Sequence, residues 1–397
     1  MNIQNRIKQR SKELLTEIIN IRQRIHENPE LSFEEHETAD LISKVLKSIG
    51  IEYKKGIAKT GIVGLIKGRN PKKRTIALRA DMDALPIMEI NKLDYTSKNP
   101  GKMHACGHDV HVASLLGTAM ILHELREEFE GSIKLIFQPS EEKYPGGAKV
   151  MIEEGVLENP APDVIFGQHV FPELDAGHAG MKSGKYMAST DEIFLTIKGK
   201  GGHGAIPDRN IDPVLIASHI VVALQQIVSR NAKPNMPTVL SFGRFIANGQ
   251  TNIIPDEVKI EGIMRTFDEE WRTEIKKRLT KMAKNIAEAM GGKCEVFIDQ
   301  GYPVLINNET VTENSRKAAK EYLGDEFVHE LELRTTAEDF AYFTQKVPGC
   351  FYRLGVRNLK KGLDANLHTA NFNVDESSLE TGMGLMAWIA YKELKMN

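Results

Sequence analysis

Residues 110–137 read VHVASLLGTAMILHELREEFEGSIKLIF: a helical stretch, Val110 to Leu125, followed by a short apolar run, Ile133 to Phe137. Similar β-rich runs bounded by Gly or Pro lie on either side, at Gly61 to Ile66 (GIVGLI), Thr75 to Arg79 (TIALR) and Val164 to Gly167, with another helical stretch at Ala148 to Glu154. Strands of four to six mainly apolar residues alternating with helices predict an α/β domain in which helices cover a mainly parallel sheet. In such sheets chemistry gathers at the carboxyl ends of the strands.

Upstream, Ile7, Leu14, Ile18, Ile21 and Ile25 fall at helical spacing, and the helix is expected to end near Pro29. A second helix is expected to begin at Ser32, with Glu35 completing a capping box and the stripe Leu41, Ile42, Val45, Leu46 and Ile49 running to Gly50. Near Tyr186 the pattern changes. Strand (Asp191 to Lys198), glycine turn, helix (Asp212 to Ser229), two strands (Thr238 to Phe245, Glu257 to Thr266) and helix (Glu269 to Met290) predict an α+β insert. The tail returns to a strand at Cys294 to Ile298, helices at Glu309 to Tyr322 and Glu338 to Thr344, a strand at Cys350 to Leu354 and a last helix from Ser377 to Lys395. The expected division is therefore a discontinuous main domain, residues 1–185 and 294–397, hosting an insert at 186–293.

A length of 397 residues allows two to three domains. Lys and Arg total 52 against 54 Asp and Glu, so a net charge of -2 gives no field for nucleic acid. Three scattered cysteines, Cys106, Cys294 and Cys350, do not make a disulfide framework and point to a reducing cytosol. The N-terminal MNIQNRIKQRSKELL lacks the apolar run of a secretory signal. The longest apolar stretch, Val214 to Leu224, is broken by Ser218 and His219 and falls short of the roughly 18 residues a membrane span needs. A soluble cytoplasmic protein, with neither membrane nor nucleic acid as partner, is expected.

Directly before the quoted helix, residues 104–111 read HACGHDVH, three imidazoles, a thiol and a carboxylate together. Cys106 and His108, separated by Gly107, can both turn toward one ion in a loop, and Asp109 can open the helix that follows. A lone cysteine more often simply packs. The combination is the donor set that borderline-soft divalent metals prefer.

Directly after the quoted strand comes Gln138-Pro-Ser-Glu141-Glu142. Adjacent side chains at a strand end point in different directions, so one carboxylate can ligate a metal while the other reaches a water as general base. Alone, neighbouring glutamates usually make a solvated loop. His169, after the run VIFG, is expected at a strand end, and His368 lies in LHTANF before the last helix. Cys106, His108, Glu142, His169 and His368 supply enough ligands for two metals if one group bridges. Asp81-Met-Asp83 closes the run TIALRA, where a carboxylate can fix the tautomer of a ligating histidine or simply cap a turn.

In the insert, four glycines of GKGGHG (199–204) surround His203 without phosphate-loop or dinucleotide spacing. A mobile turn carrying His203 to a substrate and a plain tight turn both fit. Asn252 and Arg265, on or beside the insert's central strands, can bind a carbonyl oxygen or an anion.

Jointly, RIHENPELSFEE (24–35), RADMDALPI (79–87), MHACGHDVH (103–111), FQPSEE (137–142), GGAKVMIEEGV (146–156), GKGGHGAIPD (199–208), TNIIPDEV (251–258), TAEDFAYF (336–343) and LHTANF (367–372) cover nearly the whole chain. This set resembles the dinuclear metallopeptidases of peptidase family M20, in their aminoacylase-like amidohydrolase branch. That branch includes N-acyl-amino-acid hydrolases, hippurate hydrolases, plant auxin-conjugate hydrolases and some carboxypeptidases.

The resemblance implies two divalent ions held by Cys106 as bridging ligand with His108, Glu142, His169 and His368. Zinc suits a thiolate, with manganese, cobalt and nickel as alternatives. It implies Glu141 as general base and Asp83 as the carboxylate that orients a ligand histidine. Asp81 departs from the wider family, which has a metal histidine there. The insert, ferredoxin-like in this family, becomes a lid and dimerisation domain in which His203 and Asn252 stabilise an oxyanion in the same or the partner subunit's active site and Arg265 holds a substrate carboxylate. The implied reaction is hydrolysis of an N-acyl amino acid, or of a short peptide by a carboxypeptidase or dipeptidase of the same family, in a homodimer or homotetramer. A binding protein that lost the chemistry is countered by the intact Glu141 and ligands. A thiol redox enzyme is countered by the lack of a resolving cysteine nearby in sequence.

Overall fold

The computed structural model describes residues 2–396. Two compact units emerge: residues up to 184 with Ile306–Leu333 and 339 onward, and Lys185–Leu305 with Arg334–Glu338.

The main unit is built on an eight-stranded sheet in the order Glu52–Ile57, Gly61–Lys67, Ser132–Gln138, Thr75–Asp81, Val164–Asp175, Gly349–Arg357, Ala179–Met181, Val328–Glu330. Its centre is parallel: Thr75–Asp81 pairs with Ser132–Gln138 on one side and Val164–Asp175 on the other, and Gly349–Arg357 joins the latter. The first strands, Glu52–Ile57 and Gly61–Lys67, run antiparallel. Both neighbours of Thr75–Asp81 come later in the chain, so the connections diverge at its carboxyl end, which is where a sheet of this kind opens a crevice. Side chains alternate along this strand. Ile76, Leu78 and Ala80 join the apolar core with residues of the helices Ile3–Glu27, His108–Glu124 and Ser378–Leu394, while Arg79 and Asp81 take the opposite face.

The quoted stretch forms the helix His108–Glu124 and the strand Ser132–Gln138, both buried almost throughout. Two expectations are corrected in this unit. The second helix starts at His36, and the Ser32 hydroxyl and Glu35 carboxylate are not its cap but bond elsewhere. The strand after Val164 does not stop at Gly167. It runs to Asp175 because Gly349–Arg357 keeps pairing with it, so His169 lies within the strand, just past the point where pairing with Thr75–Asp81 ends.

The second unit has the order βαββαβ, with a four-stranded antiparallel sheet Thr238–Ile246, Glu257–Thr266, Asp191–Lys198, Lys293–Gln300 and the helices Pro213–Leu224 and Glu269–Ala289 on one face. This is the ferredoxin-like arrangement. The strand at Lys293–Gln300 pairs along Asp191–Lys198, so the expected boundary at 293/294 is wrong and the insert continues to Leu305. By length and composition alone, Pro213–Asn231 is apolar enough to cross a membrane. In the fold Ile216, Ala217, Ile220 and Leu224 belong to the insert's core.

Candidate metal centre

Three adjacent central strands deliver side chains to one place. Thr75–Asp81 ends in Asp81 and leads to Asp83, Ser132–Gln138 leads to Glu141 and Glu142, and Val164–Asp175 carries His169. Cys106 and His108 come from the turn that opens the helix His108–Glu124. Gly107 between them has φ +80°, and a Cβ there would meet Val170 Cγ2 at 2.5 Å. Only glycine lets both donors face inward from so tight a turn.

Ligand atoms of Cys106, His108 and His169 lie within 4.8 Å of one another, as do those of Cys106, Glu142 and His368 and those of His108, Glu141 and Glu142. Cys106 is common to two of these sets. Its Sγ is 3.5 Å from His169 Nε2 and 3.4 Å from His368 Nε2, and His368 Nε2 is 3.2 Å from Glu142 Oε1. Cys106, His108, Glu141 and His169 are buried, whereas His368 is exposed, which leaves one side of the cluster open.

Hydrogen bonds set the histidine tautomers. His169 Nδ1–H donates to the Val170 carbonyl at 2.8 Å, turning the Nε2 lone pair toward Cys106. His108 Nδ1–H donates to Asp83 Oδ1 at 3.2 Å, and its buried Nε2 has no hydrogen-bond partner. A carboxylate behind a ligating imidazole is the usual support of a metal-bound histidine. Asp83 does more than that. It also accepts Ser32 Oγ–H at 2.6 Å and the backbone N–H groups of Glu141 and Glu142, each at 3.0 Å. Glu141 in turn accepts the Asp339 N–H at 3.4 Å.

The electrostatics suit a cation. Burial opposes charge on His108, yet Asp81, Asp83 and Glu142 outweigh it and push its imidazole up to about 10. Burial, then Glu142, Glu141 and Asp81, holds the Cys106 thiol well above its ordinary range, so a thiolate there needs positive charge beside it. Burial, then Arg353, keeps His169 neutral and able to ligate. The unpartnered His108 Nε2, the inward lone pair of His169 and the soft sulfur between them fit divalent metal.

His104, from the same sequence cluster, is buried, makes no hydrogen bond through either ring nitrogen, and is lowered to about 3 chiefly by burial. Asp109 pairs with Arg22 at 2.7 Å and His26 at 2.8 Å, away from the donor sets. Asp81 is engaged by Arg79 and His111. In the insert, the two-residue strands at His203 and Ile253 pair, and the Gly204 N–H donates to the Asn252 carbonyl at 2.9 Å, so His203 and Asn252 are neighbours and exposed. Arg265 is on the strand Glu257–Thr266, opposite Val239.

Two supporting residues were missed in sequence. Ser32 holds Asp83, and Glu35 accepts the N–H of Ser140 at 2.9 Å, that of Phe33 at 3.0 Å and the Thr60 hydroxyl at 2.6 Å, bracing the loop ahead of Glu141. Burial, reinforced by Asp83, pushes the Glu35 carboxyl up to about 7.

The chain is 40% identical over 395 residues to thermostable carboxypeptidase 2 of Saccharolobus solfataricus, covering 99% of each. It is 40% identical over 370 residues to the N-acetyl-L-cysteine deacetylase of Bacillus subtilis, covering 91% of this chain and 85% of that one. The crystal structure of the Bacillus subtilis YXEP protein, a dinuclear metal binding peptidase of the M20 family, superposes with a TM-score of 0.84 at 36% identity, covering 97% of this chain and 100% of that one. The model for peptidase family M20/M25/M40 matches residues 77–392. The chain belongs to this family and is a metal-dependent hydrolase of amide bonds.

Proposed function

We propose that the protein removes the acyl group from N-acyl amino acids, with Glu141 as general base and two divalent ions, zinc by preference, held by Cys106, His108, Glu142, His169 and His368. The observation that carries this reading is the Asp83 carboxylate, which bonds the ring of His108 and the backbone of both Glu141 and Glu142, so that base and ligands are set by one group. When bound, the ions supply a Lewis acid that polarises the amide carbonyl and acidifies a water. Glu141 takes the proton of the attacking water on a carboxylate oxygen and hands it to the departing amine nitrogen. His203 and Asn252 of the insert are assigned to the developing oxyanion, of the same subunit or its partner, and Arg265 to the substrate carboxylate.

The deacetylase relative favours this reading. Trimming of short peptides is the second reading, favoured by the carboxypeptidase relative. We place the enzyme in the cytoplasm as a homodimer or homotetramer joined through the insert, whose helix Pro213–Leu224 exposes Leu215 and Val222 and whose strand Thr238–Ile246 is an edge.

The test is metal content per chain together with amine release from a panel of N-acetyl and N-benzoyl amino acids and dipeptides. Two metals per chain and metal-dependent release from the acyl amino acids are expected, with Glu141→Ala losing turnover but keeping metal and Cys106→Ser losing metal. Release only from dipeptides selects the second reading. A metal-free, inactive chain that cannot be reconstituted overturns both.

A further inference from the structure

Asp81, His108 and His111 also place ligand atoms within 4.8 Å of one another, which makes them a further donor set beside the centre. Hydrogen bonding excludes His111 from ligation. Its Nε2 accepts the Val170 N–H at 2.8 Å and its Nδ1 faces Asp81 Oδ1, a carboxylate that can only accept. An imidazolium has no acceptor, so His111 is neutral with its proton on Nδ1. Asp81 is committed as well: Oδ1 takes His111 and Oδ2 takes Arg79 Nη1 at 2.6 Å. Arg79 is held by Gln138 Oε1 and Asp339 Oδ1, each at 2.8 Å. Arg79, Asp81 and His111 are fully buried or nearly so.

We propose that Arg79, Asp81 and His111 form a positioning relay whose last member is His169. Arg79 sets Asp81, Asp81 sets the His111 tautomer, and His111 holds the Val170 N–H. That fixes the tilt of the Val170 residue, whose carbonyl receives the His169 Nδ1 proton at 2.8 Å. The two rings also pack, with centroids 4.6 Å apart and planes at 60°, so His111 restrains His169 by contact as well as through the backbone. The consequence is directional. With its proton on Nδ1, His169 offers a lone pair toward Cys106; with its proton on Nε2 it would offer an N–H and could not ligate. The metal role of His169 rests on the reading above, but the tautomer does not, and the two can be separated experimentally.

Histidine tautomers are read from long-range nitrogen–proton correlations in the metal-free protein, and zinc affinity from competition with a chelator. His111→Phe keeps a ring against His169 and deletes both nitrogens. His111→Gln keeps an acceptor for Val170 and a donor for Asp81. In the wild type, His111 and His169 are expected with the proton on Nδ1. His111→Phe is expected to release His169 toward the Nε2–H form and to weaken one zinc site by ~10–100-fold, and His111→Gln to restore both. A wild-type His111 protonated on Nε2 overturns the relay whatever the variants do. So does a His111→Phe protein with an unchanged His169 tautomer and zinc affinity, or a His111→Gln protein no better than His111→Phe. Should the wild type bind no zinc, the metal reading falls, and the tautomers still decide the relay.

Discussion

Asp83 and Glu141 are joined through the main chain: the Glu141 N–H donates to Asp83 Oδ1 at 3.0 Å, on the same oxygen that takes the Nδ1 proton of His108. The position of the proposed base and the tautomer of a proposed ligand histidine are thus one geometric fact. With Oδ2 filled by Ser32 and the Glu142 N–H, the carboxylate has four donors and no spare capacity.

Asp83→Asn replaces one acceptor oxygen by a donor and sets it against an N–H or a hydroxyl. Metal affinity is expected to fall by ~10–100-fold, and turnover at saturating metal to stay depressed because Glu141 has moved. Chelator competition and kcat at high zinc check the two parts. Full recovery of kcat by added metal would show that Asp83 serves only His108.

Gly147 opens a short helix whose N–H donates to the Ser140 carbonyl at 2.8 Å, closing the loop that carries Glu141 and Glu142. A Cβ at Gly147 would lie 1.7 Å from the Pro139 carbonyl oxygen. Gly147→Ala must therefore push that loop. The expected loss is about 1–3 kcal/mol of stability and ~100-fold in kcat/KM from displacement of the base. Kinetics matching the wild type would mean that the loop tolerates the shift.

Glu35 supplies a pH dependence with an unusual sign. Its folded value of about 7 lies above the ~4.3 of an unfolded glutamate, so the folded protein binds this proton more tightly. The stability tied to that proton is full below the unfolded value and is lost as pH rises toward 7. At ~1.36 kcal/mol per pH unit the loss is about 4 kcal/mol. In Glu35→Gln, Oε1 can still accept from Phe33 and Ser140, and the Thr60 hydroxyl can reverse to accept. Urea unfolding of metal-free protein at pH 5 and pH 8 should show a wild type that weakens relative to the variant as pH rises. Equal slopes for both proteins would remove Glu35 as the source.

The fold class and the donor cluster were legible in sequence for the same reason: both are written locally. Cys106 and His108 share one turn, Glu141 and Glu142 follow one strand, and the helix and strand of residues 110–137 announce themselves by composition. What failed was long-range. Ser32 and Glu35 have the spacing of a capping box, and only partners far along the chain, Asp83, Thr60 and Ser140, show that both side chains brace the candidate site. The strand Lys293–Gln300 carries no local mark of which sheet it joins; its register with Asp191–Lys198 decides. His169 looked terminal because its strand's second neighbour, Gly349–Arg357, lies beyond the insert. Asp81 was readable as a carboxylate that fixes a histidine, but not as the partner of His111.

The parallel pairing of Val164–Asp175 with Gly349–Arg357 spans the entire insert. At equilibrium this matters little, since each doubling of a closed loop costs only about 0.6 kcal/mol. In time it matters more. During synthesis all four strands of the insert's sheet are made before Gly349–Arg357, so the insert can fold while Val164–Asp175 still lacks one neighbour. The strand that bears His169 is then an open, apolar edge, the kind of surface on which nascent chains associate. The vulnerable moment in making this protein lasts until Gly349–Arg357 has emerged, and the segment that needs protection is the strand that carries His169 of the candidate metal centre.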